Sequence, residues 1–117
     1  MGLPAKFKLE PTLRGDEWRG IAQIRPVTIN GEPPAIAISS ARVQFRRSAR
    51  ASDAEHEINT TTGIQILDAD AWILTIPRQS LPLESGIWFY DFETVNAAGR
   101  VKTYLSGTIE IKQDVTR

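Results

Sequence analysis

The sequence predicts an all-β protein, a sandwich or a barrel. Three observations predict it. Apolar residues recur with a period of two and not 3.6. Glycine, proline and other turn formers interrupt the chain about every ten residues. No stretch of about ten residues between those breakers carries helical spacing. With 117 residues and 41% hydrophobic content, one domain spanning 1–117 is expected. A chain of that size buries about two-thirds of its unfolded surface, enough for one core without disulfides.

The elements follow in order. Phe7 and Leu9 between Lys6 and Lys8 predict an edge strand, with Lys6, Lys8 and Pro11 blunting its open side. Glu17 to Arg25 carries Trp18, Ile21 and Ile24 around Gly20; the spacing also fits a helix, but Gly15-Asp16 before it and Pro26 after it favour a bounded strand. Gly31 and Pro33-Pro34 punctuate the chain. Ala41, Val43 and Phe45 then alternate with Arg42, Gln44 and Arg46, which gives one buried and one polar face. Ser48 to Glu57 is the most polar stretch and reads as an exposed loop. Ile64-Gln65-Ile66 is a short strand ahead of an Asp68-Ala69-Asp70 turn. Trp72, Leu74 and Ile76 alternate with Ile73 and Thr75 until Pro77 ends the run.

Gly86 to Thr94 is rich in aromatic and β-branched residues and predicts a long strand. From Val101 the apolar positions Thr103, Leu105, Gly107, Ile109 and Ile111 alternate with Lys102, Tyr104, Ser106, Thr108, Glu110 and Lys112. Gly107 on that apolar face suggests a bulge or close packing. Asn96-Ala97-Ala98-Gly99 joins the two strands tightly, with Gly99 able to take positive φ, so they should form an antiparallel hairpin. Trp18, Val43, Phe45, Trp72, Leu74, Tyr90 and Phe92 are the expected core, each contributing about 1.5–3 kcal/mol on burial.

The inventory excludes most chemistry. Without cysteine there are no disulfides, thiolate metal sites or cysteine nucleophiles. The single histidine, His56, rules out multi-histidine metal centres within one chain and lies in a stretch too polar to lock a catalytic rotamer. Asp53, Glu55, His56 and Glu57 lack the ligand order and glycine of a calcium loop. Asp68 and Asp70 read as turn residues making side-chain bonds to the backbone. Asp91 and Glu93 share one strand face and point to solvent if Trp88, Tyr90 and Phe92 point inward. No phosphate-cradling glycine motif is present. Asn59-Thr60-Thr61 matches a glycosylation sequon and Arg14-Gly15-Asp16 an adhesion tripeptide; both read as chance matches, the second as a turn into the Trp18 strand. No apolar run is long enough to span a membrane, and no secretory leader is visible. No catalytic residue, metal or cofactor is expected.

Charge is balanced overall, 14 basic against 14 acidic, which argues against nucleic acid as a partner. It is unevenly spread. Residues 1–50 carry a net +5 and residues 51–117 a net −5. Either the halves pair within one chain, or a basic patch on one copy meets an acidic patch on the next. Arg42, Arg46, Arg47 and Arg50, with Tyr104 on the polar side of the last strand, form the candidate interaction surface.

The chain resembles small tail-associated and baseplate-type structural proteins of bacteriophages, in particular the N-terminal domain of baseplate upper proteins. Arg14-Gly15-Asp16-Glu17-Trp18 is similar to that family's entry to a strand. Ile38 to Arg46 resembles its "L-x-G-A-x-V-x-M-x-V-R" strand, with Ser40 where glycine is common. Trp72-Ile73-Leu74-Thr75-Ile76-Pro77 follows. Leu83 to Phe92 resembles "L-x-x-G-x-Y-x-Y-D-L", with Trp88 where tyrosine is common, and Gly107 to Arg117 resembles an ending that closes on Asp-Val-Thr-Arg. The resemblance implies an immunoglobulin-like antiparallel β-sandwich of about seven to nine strands and a noncatalytic virion role. The implied partners are other virion proteins or further copies of this chain as a homo-oligomer, with neither nucleic acid nor membrane. The implied location is the virion, or the host cytoplasm during assembly. It carries over no functional residue. The competing expectation is a carbohydrate-binding or adhesion module stacking sugars on exposed aromatics, with Trp18, Trp72, Trp88 and Tyr104 as candidates and Tyr104 expected outside.

Overall fold

Alternating apolar and polar side chains become strands that bury one face, and the computed structural model shows how those faces meet. It describes residues 5–6, 8–14, 17–28, 30–48, 50–51 and 53–113. Among them run eleven strands and no helix: β1 (Ala5–Lys6), β2 (Thr12–Leu13), β3 (Glu17–Trp18), β4 (Ile21–Ile24), β5 (Ile38–Arg46), β6 (His56–Asn59), β7 (Gln65–Asp68), β8 (Ile73–Ile76), β9 (Gln79–Ser80), β10 (Gly86–Asn96) and β11 (Val101–Lys112). The count exceeds the expected seven to nine because four are two-residue pieces; the other seven are four residues or longer.

Those seven build two layers. The large sheet runs β11-β10-β5-β6, with β1 and β2 both on the outer side of β11; the second sheet runs β4-β8-β7. Chain order alternates between them. β4 crosses to β5, β5 and β6 form a hairpin, β6 crosses to β7, β7 and β8 form a hairpin, β8 crosses to β10, and β10 turns back into β11. This is the strand order of an immunoglobulin-type sandwich, B-E-D facing C′-C-F-G. It is not wholly antiparallel: β1 and β2 pair with β11 in parallel, since the chain enters alongside its last strand.

The expected hairpin is present. Trp88 pairs with Ile109, Tyr90 with Gly107 and Phe92 with Leu105. Asn96 closes the turn by accepting from the Ala98 and Arg100 amides, and Gly99 takes φ 85°. The irregularity falls between Phe92 and Glu93, opposite Tyr104, and not at Gly107. Trp18, Val43, Phe45, Trp72, Leu74, Tyr90 and Phe92 are all buried in one cluster with residues of both sheets. Ring contacts cross the interior, Trp18 edge-on to Phe45 at 6.3 Å and Trp72 to Tyr104 at 5.7 Å.

Two expectations need correction. The strand expected over Glu17 to Arg25 is broken into β3 and β4 at Gly20. That glycine has φ 76°, and a β-carbon there would lie 2.1 Å from the Ile76 carbonyl oxygen. The loop expected from Ser48 to Glu57 ends early, because His56 and Glu57 already pair with Phe45 and Gln44 in β6. Phe7, Gly15, Asp16 and the closing Asp114 to Arg117 lie outside the described residues.

Candidate functional site: the outward face of the large sheet

Since Trp88, Tyr90 and Phe92 point into the core, Ile87, Phe89, Asp91 and Glu93 point outward from β10. Pairing sets their neighbours. Phe89 stands between Arg46 of β5 and Thr108 of β11, and Asp91 between Gln44 and Ser106. Glu93 faces Arg42, which in turn faces Asn59 of β6.

This face carries a ladder of cross-strand pairs. Arg42 donates from Nε to Glu93 Oε1 at 2.8 Å and lies 3.9 Å from Glu57. Arg46 donates to Asp91 Oδ2 at 3.1 Å and also to Gln44 Oε1. Gln44 and Asn59 donate to the two Glu57 oxygens at 2.8 and 2.9 Å. These two hydrogen bonds hold the Glu57 carboxyl below the usual carboxylate range. Asp91 moves the other way: burial raises its pKa by more than the Arg46 charge lowers it.

The positive and negative halves of the sequence therefore meet within the chain. Arg47 also pairs with the other half, through Glu84 at 3.2 Å, and stacks 4.3 Å over the Trp88 ring. Arg50 is exposed in the loop after β5 and joins none of these pairs. Of the five residues expected to form one interaction surface, the structure brings Arg42 and Arg46 together. Arg47 and Arg50 sit beyond the end of β5.

Tyr104 differs from expectation. The irregularity opposite Phe92 and Glu93 adds a residue to β11, and Tyr104 turns inward, half-buried against Trp72. Burial raises its hydroxyl pKa. The sugar-stacking candidates Trp18, Trp72 and Trp88 are only 2–3% exposed, so none offers a platform. Trp72 Nε1 donates to the Ile36 carbonyl and Trp88 Nε1 to the Glu84 carbonyl, which completes their hydrogen bonding inside. His56 is half-buried, stacked on Phe45 at 6.0 Å, with Nε2 buried and unpartnered. Asn59 spends its side-chain oxygen on the Thr61 and Thr62 amides, a turn role for the sequon residue. Asp68 accepts from the Ala71 amide as a turn residue. No group of three or more potential metal ligands gathers among the described residues, and they contain no helix long and apolar enough to cross a membrane.

Sequence reasoning missed Phe89. The signal was present: an aromatic and an isoleucine, Phe89 and Ile87, share the strand face of Asp91 and Glu93, opposite the face that carries Trp88, Tyr90 and Phe92. Phe89 is 36% exposed and Ile87 59%. A shallow concavity of 390 Å³ opens beside Phe89, bordered by Arg46, Asp91, Ser106 and Thr108. A second, of 480 Å³, opens at the far end of the ladder near Arg42, Glu93, Val95 and Val101.

These features define a class: an all-β, two-layer sandwich with immunoglobulin-type strand order and a charge-paired outer sheet face. No protein-family model and no curated protein matches the chain. Among solved structures it is similar to CopC from Methylosinus trichosporium OB3b, at 10% identity and a TM-score of 0.49, covering 92% of this chain and 88% of that one. It is also similar to a 2,6-sialyltransferase of Vibrionaceae Photobacterium sp. JT-ISH-224, at 14% identity and a TM-score of 0.33, covering 94% of this chain and 18% of that one. The fold stands on its own strand order and register.

Proposed function

We propose that the chain is a noncatalytic structural module of a phage or prophage tail or baseplate, acting in the virion through contacts with neighbouring virion proteins or further copies of itself. The sequence resemblance suggests the setting. The observation that carries the reading is an open side of the sandwich. At the β11 edge, β1 and β2 run alongside, and Leu9 donates to the Thr108 carbonyl and Arg14 to that of Lys112. At the opposite edge β6 and β7 are terminal strands joined by a short turn, and among the described residues each pairs on one side alone. Leu67 of β7 is 60% exposed there. Unpaired edges and exposed apolar side chains suit a surface covered on assembly.

Light scattering at high concentration and co-purification with the tail proteins encoded beside it test this. The expected result is an oligomer or a stable complex, lost on Leu67→Asp without a fall in thermal midpoint. A strictly monomeric chain that binds none of those tail proteins overturns the reading.

A further inference from the structure

We infer that the concavity beside Phe89 is a binding site for one or two rings of an uncharged saccharide. The side chains stand in two rows across three strands, Arg46–Phe89–Thr108 and Gln44–Asp91–Ser106, set by pairing register. Neighbouring strands lie about 4.8 Å apart and successive same-face residues about 6.7 Å apart. Each row interval is therefore about the breadth of a sugar ring.

The chemistry selects the ligand class. Arg46 and Asp91 neutralise each other through their 3.1 Å bond, so the site offers no net charge to an anion or a cation. Gln44 anchors the same guanidinium, which fixes its orientation before any ligand arrives. What remains is a partly exposed aromatic side chain beside donors and acceptors. Phe89 suits the C–H face of a pyranose. Arg46 donates to ring hydroxyls, Asp91 accepts from them, and the Ser106 and Thr108 hydroxyls do either. The 390 Å³ volume lies in the range of small-ligand sites. A wholly apolar ligand would strip water from Asp91 and the two hydroxyls without replacing their bonds. The site uses the face of β10 and not the β6–β7 edge, so it stands or falls separately from the assembly reading.

The test is an amide NMR titration of the full chain with glucose, galactose, N-acetylglucosamine and their β-linked disaccharides, each to about 20 mM, above a millimolar Kd. At least one sugar should move the amides of residues 44–46, 89–91 and 106–108. Phe89→Ala should weaken that binding by about tenfold or more, and Phe89→Trp should retain it. Inorganic phosphate should leave the same amides still. The inference is overturned by no residue-specific shift with any sugar, by shifts confined to another surface, by binding indifferent to Phe89→Ala, or by phosphate binding at these residues.

Discussion

Trp72 occupies left-handed backbone, φ 56°, which costs a residue with a β-carbon about 1–2 kcal/mol. Its buried indole, the Nε1 bond to Ile36 at 2.9 Å and the edge contact with Tyr104 hold it there. That Trp72 is buried was legible from its alternation with Leu74 and Ile76. Its dihedral was not, because the tight turn after Asp68 imposes it. His56 was misread for a related reason. Its neighbours in sequence are polar, but register with Phe45, eleven positions earlier, carries it inward. Burial lowers the His56 pKa below 6.5, against a smaller opposing pull from Glu57. The sign follows from linkage. The unfolded chain takes up the proton first as pH falls, so stability is complete above 6.5 and declines as pH drops through the folded value. Urea unfolding between about pH 7.5 and 5 should show a loss of stability that His56→Gln reduces. A variant that follows the wild-type profile over that window would falsify the assignment to His56.

At the scale of elements, the segments that could be read were those whose own residues alternate: β8 buries Leu74 and Ile76, β10 buries every second residue from Trp88 to Thr94, β5 does so from Ala41 to Phe45, and β11 buries Ile109 and Ile111 near its end. Segments fixed by a distant partner could not be read. An edge strand was legible near Lys6, where β1 lies, but β2 exists because β11 offers its outer side, and β6 because β5 does. The break between β3 and β4 is fixed from outside in the same way. Gly20 lets the chain pass against the backbone at Ile76 and Pro77, and its φ of 76° suits glycine. The candidate face was half legible. The arginines of β5 stood out as charge, while Ser106 and Thr108 became neighbours of Phe89 only through the β10–β11 register. Gly20→Ala should lower stability by more than about 1 kcal/mol, since the new methyl meets a carbonyl and the backbone is strained. Hydrogen exchange should show the loss first at Ile21–Ile24, where β4 meets β8. An unchanged unfolding midpoint would mean that the close approach relaxes without cost.

Over the whole molecule, the uneven charge of the sequence posed a choice between pairing within a chain and pairing between chains. Arg42 with Glu93 and Glu57, Arg46 with Asp91, and Arg47 with Glu84 each join the positive half to the negative half inside one sandwich. The Arg42 and Arg47 pairs are partly exposed, and exposed pairs of this kind contribute about 0–1 kcal/mol each. Their role is to let two strands of opposite charge lie side by side, a specificity set mainly by the cross-strand neighbours. Since those arginines are already engaged, contacts between copies through Leu67 and the open β6–β7 edge would draw on apolar area and backbone bonding, and salt screens neither. Raising the salt from about 0.05 to 0.5 M, which shortens the Debye length from about 14 to 4 Å, should therefore leave both the thermal midpoint and the oligomer mass nearly unchanged. An assembly that falls apart over that range would be held by charge between chains, and the paired ladder seen within one chain would then be the arrangement that assembly replaces.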